Sequence, residues 1–400
     1  MRTGKFICLI IGITFCCACG NRSKKSGFSY TELSIDNSNI EKIEDVSDKI
    51  NTISIIPLKE TTGHYMGGVF KLYVVNNKYV VYDRLNTNRI NLFDSTGSFI
   101  KTIIKIGDGP NDPISMSDCW VNEKDELAVY DFAQMKVFCF DTTFTLKKVV
   151  KAPELYHFVA LKTIPNTNKY VAYANFNDYN PPFRGKLYHI AWLNNELNIE
   201  KTDRYFDKTF QGIPWLVYNE HFYAYGDTLR FVESYDNFVY SITSAGIQPR
   251  YKISYKENPL PDDVLPIVKD HLSNYKDMNL KPNEKASYLK NYVRFNGQWL
   301  ENDKYIYLIS RDDKGEFGTL FQSLVDKTNN SVLFNTRSIC ETQKYKLAIP
   351  PFQYCDNKKH EFIAVTDGEK LKQLLYKGSP FEHEIIDDPE TFYVVRVNFK

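Results

Sequence analysis

Residues 79–103 (YVVYDRLNTNRINLFDSTGSFIKTI) lie over residues 127–150 (LAVYDFAQMKVFCFDTTFTLKKVV) with Val81-Tyr82-Asp83 on Val129-Tyr130-Asp131 and Phe93-Asp94 on Phe140-Asp141. The offset is 47 to 48 residues. A chain that repeats at this interval builds one small unit many times over, and each unit must bury its apolar face against the next copy. Both copies read as a strand, a polar turn, a second strand ending in Phe-Asp, a further turn and a third strand. One earlier inner strand completes a four-stranded antiparallel blade.

Weaker copies continue the pattern. Residues 169–173 and 187–192 supply middle strands of a third blade, residues 229–231, 238–242 and 251–253 a fourth, and residues 305–309 and 320–324 a fifth. A sixth begins around Phe352-Gln353-Tyr354 and residues 362–365. Six units over residues 66–400 predict an all-β chain folded as a six-bladed β-propeller, within the four-to-eight-blade range of such rings. A solenoid is the alternative, but the sequence shows no distinct end caps. An open ring would leave sheet edges unpaired. The strand-like segment 53–58 (ISIIPL) is therefore expected to pair with the C-terminal strand 392–397 and close the ring. Two helical insertions are expected, over 262–277 and 368–376, both decorating one face of the disc.

The N-terminus has the layout of an export signal. Arg2 and Lys5 precede the apolar run 6–15, which is too short to span a bilayer comfortably. Cys16-Cys17-Ala18-Cys19-Gly20 resembles the lipobox of bacterial lipoproteins, with cleavage after Ala18 and acylation of Cys19, although Cys16 stands where that motif usually has an aliphatic residue. An ordinary cleaved signal peptide shares the same layout. The expected organisation is a signal peptide over 1–18, a flexible tether over 19–27 and the propeller over 28–400. Acyl chains on Cys19 would be the chain's sole hold on a membrane, each buried methylene adding about 0.8 kcal/mol.

Composition narrows the partners. Lys+Arg 50 against Asp+Glu 49 gives a formal net charge of +1, so no global field favours nucleic acid. An aromatic fraction of 15% suits pleated, half-buried strands. Cys119, Cys139, Cys340 and Cys355 are scattered, with no CxxC or Cys/His zinc spacing. A 119–139 or a 340–355 disulfide is conceivable, but the expected role is that of small buried hydrophobes.

The lipobox, the Ile-Pro-Leu strand near residue 57 and a first blade ending in Gly107-Asp108-Gly109-Pro110 together resemble the uncharacterised six-bladed β-propeller lipoproteins of Bacteroides and relatives. The resemblance covers essentially the whole mature chain. Members commonly continue that motif with Gly-Glu-Tyr, where this chain has Asn111-Asp112-Pro113. The family brings no agreed activity, and its distant NHL-type relatives include both binding proteins and enzymes. Surface-exported members of the group tend to carry acidic residues after the lipidated Cys. Here Arg22, Lys24 and Lys25 make that stretch basic, which favours an outer-membrane protein facing the periplasm.

No catalytic residue is assigned. The seven histidines are dispersed, and neither HExxH nor GxSxG occurs. No metal site is assigned either: calcium is the one cofactor considered, and the 106–113 loop, though it offers Asp108 and Asp112, lacks the calcium-loop pattern and reads as an inter-blade turn. Asp94-Ser95-Thr96 and Asp141-Thr142-Thr143 resemble a Bacteroides-type O-glycosylation acceptor, but Asp and Thr also stabilise turns, which is the stronger reading. The ligand-binding candidates are aromatic or stand beside aromatics: Tyr179, Phe183 and Arg184 in a long loop of the third blade, Trp215 (with Tyr218) before the fourth, and Trp299 near the start of the fifth. The leading expectation is a non-catalytic binding or scaffold propeller that uses loops at one face for a glycan, a peptide or an envelope protein. The alternative is a metal-dependent hydrolase or lyase, which requires at least three convergent polar or acidic side chains on the central axis.

Overall fold

The computed structural model describes residues 22–400 apart from 26–27, 41, 60, 62–64, 85–86, 155, 177–178, 212, 214–219, 275–288, 315–317, 338, 358 and 386–389. Six antiparallel blades follow in order around a ring. Blade 1 is Lys71–Val75, Lys78–Asp83, Arg89–Phe93 and Phe99–Lys105; blade 2 is Met116–Val121, Leu127–Asp131, Lys136–Phe140 and Leu146–Lys151. Blade 3 is Ala160–Thr163, Tyr170–Tyr173, Leu187–Leu193 and Ile199–Phe206; blade 4 is Phe222–Tyr225, Thr228–Val232, Phe238–Ile242 and Ile247–Tyr255. Blade 5 is Val293–Glu301, Tyr305–Asp312, Thr319–Asp326 and Ser331–Arg337. Blade 6 takes Tyr354–Asp356, Glu361–Asp367 and Phe392–Phe399 from the C-terminus and Ile50–Leu58 from the N-terminal region. The expected closure therefore holds, with Ile55 opposite Val395 and Ile53 opposite Val397.

Burial explains the strength of the repeat. The second strand of blade 1 is buried at every residue after Lys78, and that of blade 2 throughout, because each is covered on both sides by neighbouring blades. The outer strand Phe99–Lys105 is largely half-buried, as befits a rim. The core accordingly lies between blades. Tyr82 and Ile90 of blade 1 pack with Cys119, Val129 and Phe138 of blade 2, and comparable clusters fill the other five junctions around to Leu72, Val81, Ile363 and Val394, which join blade 1 to blade 6.

The repeated tripeptide has a structural purpose. Asp131 accepts from the backbone N–H groups of Ile114 (2.7 Å) and Gln134 (2.9 Å), and Asp83 accepts from Gly67 (2.8 Å), so each ties its blade to the segment entering that blade. Asp94 and Asp141 each fold a tight turn by accepting from Thr96 and Ser98, and from Thr143 and Thr145. The 106–113 loop is likewise a turn: Asp112 reaches back to the Gly109 N–H at 3.0 Å, and a Cβ on Gly107 would sit 2.4 Å from that carboxylate. Where blade 6 meets blade 1, Gly97 holds φ +78, and a Cβ there would lie 1.9 Å from the Pro57 carbonyl oxygen.

Among the described residues, helices α1 (Val264–Asn274) and α2 (Gly368–Leu374) both sit in connections on the face that carries the inter-blade loops. Asp367 caps α2 by accepting from the Lys370 N–H. Helix α1 lies over Phe176, Tyr235 and Leu260.

Within the 19–27 segment, Arg22–Lys25 pairs antiparallel with residues 28–31. The physical reason is that Phe28–Ile35 adds in parallel to the outer strand of blade 4, Thr31 beside Tyr251 and Ile35 beside Tyr255, and offers Arg22–Lys25 a free edge. From there, residues 36–49 run past blade 5, where the Glu44 N–H donates to Thr336 and the Val46 N–H to the Glu341 carbonyl, before entering blade 6. Residues 1–18 and Cys19 lie outside the described residues. Among the described residues, Cys119, Cys139, Cys340 and Cys355 are free thiols. Cys119 and Cys139 pair with Val129 and Ala128 on opposite sides of one strand, two strand spacings or about 10 Å apart, too far for a disulfide.

Candidate functional site

Each blade leaves the free edge of its inner strand facing the axis, and the space the six edges enclose is a cavity of about 440 Å³. All six blades contribute to its wall: Lys71 and Tyr73, Trp120, Lys162, Phe222 and Tyr223, Gln298 and Trp299, and Gln353 and Tyr354. It extends towards the opposite face, where Asn122, Asp125, Pro165, Gly226 and Asn357 sit in the short hairpin turns.

Three charged side chains of this wall, Lys71, Lys162 and Glu220, meet a fourth, Asp118, from beside it, and the four come from four blades. Lys71 is ion-paired with Asp118 and lies 2.7 Å from Glu220, whose same oxygen Oε2 is 2.9 Å from Lys162 Nζ. Two ammonium groups thus face two carboxylates. Burial works against the Lys71 ammonium, but Asp118 and Glu220 outweigh it and lift its pKa well above the ordinary lysine value. Burial likewise pushes the Glu220 carboxyl up, and the two lysines more than reverse this, holding it at about 2. The neighbouring Cys119 thiol is raised by burial to about 12, so it carries no thiolate near neutral pH.

The aromatic wall is fixed by its own polar ends. The Tyr73 hydroxyl donates to the Cys119 carbonyl (2.7 Å), and the Tyr223 hydroxyl to the Gly297 carbonyl (2.5 Å). The Tyr73 and Tyr354 rings meet edge to face at 5.9 Å. Behind Trp299, Glu301 accepts from Arg230 (2.6 Å), Lys327 (2.9 Å), Tyr251 (3.0 Å) and the Trp299 indole (3.2 Å), a clamp between blades 4 and 5.

A second buried network lies under the loop face. His189 contacts Glu233, which also meets Arg204; Arg204 in turn reaches Asp236 at 2.9 Å. Burial keeps His189 far below the ordinary histidine pKa, with Arg204 adding to the effect. Nearby His221 donates through Nδ1 to the Val232 carbonyl at 3.1 Å, and burial lowers it to about 4. Among the described residues no three His, Cys, Asp or Glu side chains are grouped to hold a metal ion.

The structure separates the sequence-chosen residues. Tyr179 is 72% exposed on the loop face, its ring 5.1 Å from that of His157. Buried Asn180 staples that loop by accepting from the His157 N–H and donating to its carbonyl. Phe183 and Arg184 occupy a tight turn in the same loop, the guanidinium 5.2 Å from the ring. Trp299 is fully buried in blade 5, on the axial wall and not with the loop residues. Trp215 lies outside the described residues. The axial quartet escaped sequence reading, since its members are 44 to 58 residues apart and each is a lone charge. The usable signal is position: Lys71, Asp118 and Lys162 lie within the first three residues of an inner strand, and Glu220 just before one.

The fold is shared with solved structures. A Bacteroides fragilis protein described as exported is 16% identical at a TM-score of 0.72, covering 92% of this chain and 100% of its own. A member of the DUF4221 family from Bacteroides vulgatus is 9% identical at a TM-score of 0.52, covering 88% of this chain and 97% of its own. At these identities the likeness speaks to architecture alone. No curated protein matches the chain in sequence. The family model for a domain of unknown function, DUF4934, matches residues 32–390, and the chain belongs to that family.

Proposed function

We propose that this protein is a non-catalytic binding propeller of the cell envelope, held to a membrane through Cys19, with the axial cavity as its ligand seat. The observation that carries the reading is a cavity of about 440 Å³ with fixed aromatic rings, whose wall lysines Lys71 and Lys162 are paired with Glu220 of the wall and, for Lys71, with Asp118 beside it. A volume in the range of small-molecule sites, apolar walls and a few placed polar groups are what such a site requires. The quartet's carboxylates are engaged by ammonium groups, Glu301 by Arg230 and Lys327, and Asp356 by Arg396, which argues against a hydrolytic metal centre built on these residues. The envelope address rests on the signal-like segment 1–18 and on Cys19, and agrees with the description of the Bacteroides fragilis fold relative as exported.

Two experiments test these parts. Cys19→Ala is expected to move the protein from the membrane to the soluble fraction; unchanged membrane association contradicts anchoring through Cys19. Ala224 is an exposed cavity-wall residue of blade 4, and Ala224→Trp is expected to fill the cavity. In a thermal-shift screen of sugars, amino acids, short peptides and organic acids, ligands that stabilise the wild type should fail to stabilise a folded Ala224→Trp protein. Stabilisation that persists in the variant places binding elsewhere.

A further inference from the structure

We infer that the axial cavity takes a short extended peptide, its backbone read by Gln298 and its cationic end facing Glu123, and this inference rests on the axial-seat reading above. The first argument is the inner strand of blade 5. Phe295 pairs with Ser310 and Trp299 with Leu308, so residues 296–298 bulge out opposite Ile309 alone. Gly297 holds φ +82 at the centre of the bulge, and the Tyr223 hydroxyl pins its carbonyl at 2.5 Å. Bulges of this kind re-aim side chains beside binding sites. Here the re-aimed residue is Gln298, which lines the cavity and is only partly buried. Its side-chain amide has no hydrogen-bond partner among the described residues. A fixed piece of backbone thus offers an unspent donor and acceptor to whatever fills the axis.

The second argument is what such an amide matches. In an extended chain the N–H and C=O of one residue point to the same side, as in the residue pairs of an antiparallel ladder that exchange both hydrogen bonds. The Gln298 amide, with its donor and acceptor in one plane, can meet both groups of one peptide residue. The aromatic wall serves the side chains. The Tyr73 and Tyr223 hydroxyls are spent on backbone carbonyls and the Trp299 indole N–H on Glu301, so these residues offer ring surface to a ligand.

The third argument is charge. Five carboxylates line the cavity against two lysines. Glu220 is spent on Lys71 and Lys162, Glu301 on Arg230 and Lys327, and Asp356 on Arg396. Glu123 and Asp125, in the hairpin turn of blade 2, make up the surplus. Glu123 is exposed there, accepts from the Asn166 backbone N–H at 2.9 Å and forms no ion pair among the described residues. A positive group can sit against it without breaking a buried pair, whereas an anionic ligand meets the acid surplus. A simple amine answers Glu123 but not Gln298, and a saccharide answers Gln298 but not Glu123. A peptide with a free N-terminus or a basic side chain answers both.

The test is isothermal titration calorimetry with the tripeptide amides Lys-Phe-Ala, Ala-Phe-Ala and Glu-Phe-Ala, each with a free N-terminus, and with copies methylated in turn at each peptide nitrogen. The basic peptide is expected to bind the wild type at least fivefold more tightly than the acidic one, and Glu123→Gln should erase that preference. One of the N-methylations should weaken binding to the wild type at least tenfold and cost nothing further in Gln298→Leu. Folded Ala224→Trp should bind none of the peptides. Binding that is lost in Ala224→Trp but unchanged in Gln298→Leu overturns the role of Gln298 and leaves the axial seat standing. Wild-type affinity indifferent to every N-methylation overturns the backbone contact. Equal binding of the acidic and basic peptides overturns the role of Glu123. Binding that survives Ala224→Trp overturns the seat itself, and the absence of binding by all three parent peptides overturns the peptide assignment.

Discussion

At the residue scale, the side chains that repeat and the side chains that carry chemistry are different sets. Asp83 and Asp131 recur because each collects backbone N–H groups that would otherwise be buried without acceptors. Lys71, Asp118, Lys162 and Glu220 do not recur, since each blade supplies a different member. Buried histidines set the acid sensitivity of the fold. The unfolded chain takes up protons at ordinary histidine pKa values near 6.5, whereas folded His221 resists until about pH 4 and burial also holds His189 well below the ordinary value. The folded pKa values are depressed, so the stabilisation is fully present above about pH 6.5 and is lost as pH falls towards 4. Each histidine contributes a slope of up to about 1.4 kcal/mol per pH unit in that window. Urea unfolding at pH 7, 6 and 5 should show falling stability, with a shallower fall in His221→Gln. A flat profile would mean that neither histidine is buried neutral.

At the scale of elements, legibility followed locality. The second and third strands of blades 1 and 2 were readable because burial on both faces makes them short apolar runs ending in Asp, separated by turns that Asp94 and Asp141 fold by themselves. The closing strand Ile50–Leu58 was readable because a ring needs a partner for its last edge, and this segment is apolar enough to serve. Phe28–Ile35 was not readable as a fifth strand of blade 4. Its partner lies about 220 residues away, the pairing is parallel, and no local turn announces it. Helix α1 was legible as an insertion, and Pro266 falls in its opening turn, where a missing N–H costs no helical bond. The aromatic residues chosen from sequence divide between two environments for a similar reason. Composition marks Tyr179 and Trp299 alike, while only the register of blade 5 shows that Trp299 is wall and not surface.

For the whole molecule, closure places hydrophobic cores between blades and leaves the axis to polar and aromatic groups. The N-terminal region reinforces that closure twice, at blade 4 and at blade 6, and spans blade 5 between them. The proposed ligand seat is this axis and not the loop face around Tyr179. Hydrogen–deuterium exchange with a saturating ligand from the thermal-shift screen tests it most directly. Binding on the axis adds protection in the inner strands, above all 71–75, 116–121, 160–163 and 222–225, with little change in 106–115, 132–135 and 174–186. Protection confined to those loops, with the inner strands unaltered, would contradict it.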